Sequence, residues 1–128
     1  VAEWGEVRTI VRQRFQLDLD EAEEFALTLP QGKGEREQRV MVRRFQQWGK
    51  WLVEIRSAFG ELGNREAEAL LRDVLALPLG GIALHGRFLV VVHRELLDDL
   101  PVEGLLFLIA RIGQLADQLE ARTGEDRF

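Results

Sequence analysis

The chain has 128 residues, 46% of them hydrophobic and 30% charged, with a formal net charge of -5 and no cysteine. That is the balance of one globular domain; it excludes a disulfide framework, a thiolate metal site and a cysteine nucleophile, and it suits a reducing, cytoplasmic compartment. The acidic balance argues against bulk attraction to nucleic acid or an anionic membrane, no apolar run approaches the ~20 residues of a bilayer span, and no basic-then-apolar opening reads as a secretory signal.

Residues Ala2 to Gln16 carry Trp4, Val7, Ile10, Val11 and Phe15 at three- and four-residue spacing, which predicts an amphipathic helix. Asp18, Asp20, Glu21, Glu23 and Glu24 follow as a solvated acidic break, without the Gly and closing Glu of a calcium loop. Phe25, Leu27 and Leu29 alternate with Ala26 and Thr28 as a strand that ends at Pro30. The loop Gln31-Gly32-Lys33-Gly34 is too short for a phosphate cradle. Strands are predicted over Gln38 to Gln46 and Trp51 to Ala58, with Gln47-Trp48-Gly49-Lys50 as the hairpin tip and Gly49 supplying positive φ.

Gly60 to Gly63 closes this meander, and Asn64 is the predicted cap of a helix in which Ala67, Leu70, Leu71, Val74 and Leu75 repeat at helical spacing. Pro78, Gly80 and Gly81 end it. A second tight hairpin runs from Ile82 to His93 around His85-Gly86. Asp98 and Asp99, before Pro101, cap the longest helix, whose apolar face includes Leu105, Leu108, Ile109, Ile112, Leu115, Ala116 and Leu119 and whose stop is Gly124. The predicted architecture is a single α+β domain over 1–128, in the order α-β-β-β-α-β-β-α, with a mainly antiparallel sheet and helices packed against it.

The strands differ in their patterning. Trp51, Val53 and Ile55 face one way and Glu54 and Arg56 the other, which is a half-buried strand. Phe88, Val90 and Val92 fall on one face and Leu89 and Val91 on the other, so this strand is apolar on both. Its second face takes either a homodimer seam or a helix of the same chain; the frequency of two-fold pairing favours the seam, placed at Phe88, Leu89, Val90, Val91 and Val92. On the outer side of the central hairpin Met41, Phe45 and Leu52 alternate with Arg43, Glu54 and Arg56. That mixture suits adaptable protein recognition by Met41, Arg43, Phe45, Trp48 and Leu52; the alternative is a strand face covered by the N-terminal helix.

Nothing in the sequence assembles a catalytic site: there is no Tyr, Ser57 is the only Ser and lies within a strand, and His85 and His93 lack a metal-ligand spacing. No catalytic, metal or cofactor residue is assigned. Arg36, Arg39, Arg43, Arg44, Lys50 and Arg56, interleaved with Phe45, Trp48 and Trp51, offer a single-stranded nucleic-acid binder as the alternative function, opposed by the acidic balance and by Glu35, Glu37 and Glu54 in their midst.

The run Gly81-Ile82-Ala83-Leu84-His85-Gly86-Arg87-Phe88-Leu89-Val90-Val91, then Leu96-Leu97-Asp98-Asp99-Leu100, and the close Ala116-Asp117-Gln118-Leu119-Glu120 resemble the type III secretion chaperone fold, especially its YbjN-like relatives. The element order is similar over nearly the whole chain. The resemblance implies a cytoplasmic bacterial homodimer, without cofactor or catalytic residues, that is chaperone-like or an adaptor, linked to stress responses, and that binds extended client protein segments on apolar patches.

Overall fold

The computed structural model describes residues 3–32, 36–64 and 66–122. The chain runs α1 (Trp4–Arg14), β1 (Leu17–Asp20), β2 (Glu24–Pro30), β3 (Glu37–Gln47), β4 (Lys50–Glu61), a 3-10 turn (Leu62–Asn64), α2 (Ala67–Ala76), β5 (Gly81–His85), β6 (Phe88–Leu96) and α3 (Val102–Ala121). The six strands form one antiparallel sheet in the order β1-β2-β3-β4-β6-β5, with helices packed against it. This is the predicted α+β class, with one strand more than expected.

Two turns set the hairpins. Trp48 and Gly49 sit at φ 54° and 70°, and two positive φ values are what a type I′ turn needs to join right-twisted strands. Gly86 alone is positive between β5 and β6, at 62°, so the turn residues are Gly86 and Arg87, one position later than expected.

Alternation then sorts the side chains. Phe25, Leu27, Val40, Val42, Val53, Ile55, Leu89 and Val91 point to one face and are buried there. Onto them α3 lays Leu105, Leu108, Ile109, Ile112, Ala116 and Leu119, and α1 adds Trp4, Val7 and Val11. Gly113 permits the close approach of α3, because a Cβ there would stand 3.0 Å from Val40 Cγ2. The Trp4 indole packs 5.5 Å from Phe25 and donates to the Ala22 carbonyl at 2.8 Å, so its N–H is satisfied where it is buried.

Four expectations are corrected. The acidic break is partly strand: in Leu17–Asp20 the carboxylates alternate with leucines, and Asp20 accepts hydrogen bonds from Arg8 and Arg12 of α1. Those bonds hold the Asp20 carboxyl at about 2, below its usual range. Asn64 ends the 3-10 turn, and the N-cap of α2 is Glu66. The N-cap of α3 is Pro101 itself, with no side-chain cap, and Asp98 pairs instead with Lys50 at 3.7 Å. Finally, α1 lies on the same face as α3, so it does not cover the outer side of the central hairpin. Lys33, Gly34 and Gly124 lie outside the described residues.

Candidate docking face

Among the described residues, no helix covers the second face of the sheet, and its cross-strand register arranges that face in rows. Phe45, Leu52 and Leu96 are partners across β3, β4 and β6. The next row is Glu24, Arg43, Glu54 and Arg94, alternating in sign across four strands. Beyond it come Ala26, Met41, Arg56, Val92 and Gly81, and then Ala58, Val90 and Ala83 beside Arg39. Two apolar patches therefore flank one charged row.

Glu54 is the centre of that row. Its side chain is almost fully buried, yet Arg43 donates to it at 2.8 and 3.1 Å, Arg56 at 2.8 Å and Arg94 at 2.8 Å. Burial raises the carboxyl pKa, and the three guanidiniums more than reverse this, so it is held at about 2. Arg56 also reaches Glu24 at 3.4 Å. A buried carboxylate survives here because its lone pairs are taken by charged donors.

Four of the five expected docking residues lie on one face. Met41, Arg43, Phe45 and Leu52 share the open face, the Arg43 guanidinium lies 4.7 Å from the Phe45 ring centroid, and Trp48 stands exposed at the hairpin tip. The seam residues divide. Leu89 and Val91 belong to the helix-side core, so they are corrected as partner contacts; Phe88, Val90 and Val92 face outward. Val90 is itself buried, between Ala58 and Ala83, while Phe88 and Val92 are half-buried.

The apolar surface left most open lies elsewhere. Leu71 and Leu75 of α2 are 71% and 90% exposed, and Leu84 on the edge strand β5 is 53% exposed. Within α2 only Leu70 is buried, so the leucines that repeat at helical spacing divide between core and surface. Their i, i+4 spacing, one step round from Leu70 and Val74, was the available signal. Arg94 and Leu96 were also missed, because their partnership with β4 depends on a pairing that skips over α2 and β5.

The chemistry-bearing side chains are otherwise occupied. Ser57 is buried, donates to the Arg39 carbonyl at 2.6 Å and accepts from Gln38. His93 is 3.0 Å from Glu95. Among the described residues, no group of three His, Asp or Glu side chains is placed to hold a metal ion, and no helix is long and apolar enough to cross a membrane. The cations of the central hairpin meet carboxylates: Arg43 with Glu54, Arg44 with Glu23, Arg56 with Glu54 and Glu24, and Arg36 with Asp117 and Glu120. No family model matches the chain, and no curated protein matches it significantly.

Proposed function

We propose that this is a non-catalytic, cytoplasmic protein-binding domain of chaperone-like or adaptor type, which acts as a homodimer and holds an extended segment of a client protein against the open sheet face. One observation carries this reading: among the described residues the sheet is covered by helices on one side only, and its other side carries two apolar patches about a charged row. Such a face suits a chain of mixed side chains, and the half-buried Met41 adds an adaptable contact. The order predicted from the sequence, to which the structure adds β1, resembles that of type III secretion chaperone-like domains and supports the same reading, including its link to stress responses. The nucleic-acid alternative is weaker, because the arginines beside the hairpin aromatics are already neutralised by carboxylates.

The test is suppression of aggregation of a thermally unfolding substrate protein. The wild-type chain is expected to keep that protein in solution at near-equimolar ratio, and Met41→Glu/Phe45→Glu to lose most of the effect while keeping its circular dichroism spectrum. Equal protection by the variant would end the open-face reading.

For the homodimer, the α2–β5 edge is the better seat. An uncharged edge strand from Gly81 to Leu84 leaves one row of backbone donors and acceptors open, and Leu71 of α2 lies in one apolar groove with Leu84. Two-fold pairing would cover both features at once. Light scattering should give twice the chain mass at micromolar concentration, and the single mass for Leu71→Glu/Leu75→Glu. A wild-type chain that stays single over the whole range sinks the seam.

A further inference from the structure

The open face holds a hollow of about 350 Å³ between β3, β4, β5 and β6. It exists because the residues at its floor, Ala58 and Val90, are smaller than Met41 and Phe88 at its walls. Its polar lining is Arg39, Arg56 and His85; among the described residues that line it there is no carboxylate. The Arg39 side chain is half exposed and makes a long ion pair, with Asp18 at 4.0 Å. Arg56 is paired with Glu54 and Glu24, which leaves Arg39 as the more exposed cation of the rim.

We propose that the hollow receives an apolar side chain from an extended acidic peptide segment, whose carboxylates face the more exposed Arg39 and Arg94. This rests on the open face being the client site, and it adds the client's chemistry and spacing. Arg94, the outermost cation of the charged row, is more than half exposed although it bonds Glu54. A carboxylate crossing the row would therefore meet a guanidinium with donors to spare, as Arg carries five N–H groups.

The spacing follows from β4. Leu52, in the far apolar patch, and Ala58, at the floor of the hollow, are six residues apart on one strand, which is about 20 Å at ~3.3 Å per residue. An extended segment lying over the seam between β4 and β6 would pass Arg94 and set one apolar anchor on Phe45, Leu52 and Leu96 and the next in the hollow. With alternate side chains facing the sheet, the anchors fall at peptide positions 1 and 7 and the acids at 3 and 5. An Arg-edged apolar pocket with complementary charge would set both the orientation of the segment and its rate of arrival.

The probe is a fluorescein-labelled nonapeptide with Leu at positions 1 and 7, Glu at 3 and 5 and Ser elsewhere, read by polarisation against the full chain. It is expected to bind about tenfold tighter than the same peptide with Lys at 3 and 5, with the preference shrinking in high salt. Arg39→Glu, which reverses the rim, and Ala58→Leu, which fills the floor, should each weaken the Glu peptide about fivefold or more, with circular dichroism unchanged. Equal binding of Glu and Lys peptides, both weakened by Met41→Glu/Phe45→Glu, overturns the acidic preference and leaves the open-face reading standing. Binding unaffected by Arg39→Glu and Ala58→Leu overturns the hollow as the seat. Equal binding of a Glu peptide with its leucines at 1 and 4 overturns the two-anchor spacing. If neither Glu nor Lys peptide binds at millimolar concentration, this inference and the open-face reading fall together.

Discussion

Glu54→Gln should lower the stability of the fold by about 3 kcal/mol at neutral pH, seen as a fall in the urea midpoint with an unchanged slope. The substitution keeps the shape and removes the charge. Arg43, Arg56 and Arg94 would then converge on an amide, which accepts fewer hydrogen bonds and offsets none of their mutual repulsion. Removing one partner of a buried ionic group is costly because the others keep their desolvation without their compensation. A loss below about 1 kcal/mol would mean that the guanidiniums turn to solvent instead, as expected of a surface pair.

The same carboxylate sets an acid limb. Its pKa falls from 4.5 to about 2 on folding. The unfolded chain therefore binds more protons in that window, so the stability owed to this group is complete above about pH 4.5 and is lost as pH falls towards 2. The loss is on the order of 3 kcal/mol. Urea titrations across that window should show the wild type losing stability more steeply than Glu54→Gln. Asp20 titrates in the same window, but its pairing with Arg8 and Arg12 is exposed, so its share should fade with added salt.

Gly80→Ala is expected to cost about 2–4 kcal/mol, and Gly86→Ala only about 1 kcal/mol. Both glycines have positive φ, 69° and 62°, so both substitutions meet the left-handed penalty. They differ in their surroundings. A Cβ at Gly80 would lie 2.6 Å from the Val92 carbonyl oxygen, which is backbone and cannot turn aside, whereas nothing stands within 4 Å at Gly86. The clash pushes β5 away from β6, so hydrogen exchange in Gly81–His85 should accelerate in the Gly80 variant before the rest of the sheet. Equal losses at the two sites would show that φ alone matters.

What could be read from the sequence was local. Gly49 and Gly86 mark turns by their own backbone preference, and alternation along β3 and β4 assigns Met41, Phe45 and Leu52 to one side and Val40, Val42 and Val53 to the other. Leu17 and Leu19 carry the same alternation, yet four residues are a short signal beside so many carboxylates, and β1 went unread. Pairings that depend on distant partners were out of reach. Glu54 meets Arg94 forty residues on, across α2 and β5, so the centre of the charged row could not be inferred from either strand alone. In α2, periodicity places the leucines on a helix but does not say how much of their arc another element covers; the sheet takes Leu70 and leaves Leu75 outside.

The alternating row of Glu24, Arg43, Glu54 and Arg94 also bears on solubility. An uninterrupted apolar sheet face beyond a few hundred Å² would make unliganded molecules stick to one another. The row cuts that area in two and lays fixed charge along the cut, so neither half offers a neighbour a broad greasy contact. Interrupting the apolar surface in this way lowers the drive of two such faces to associate.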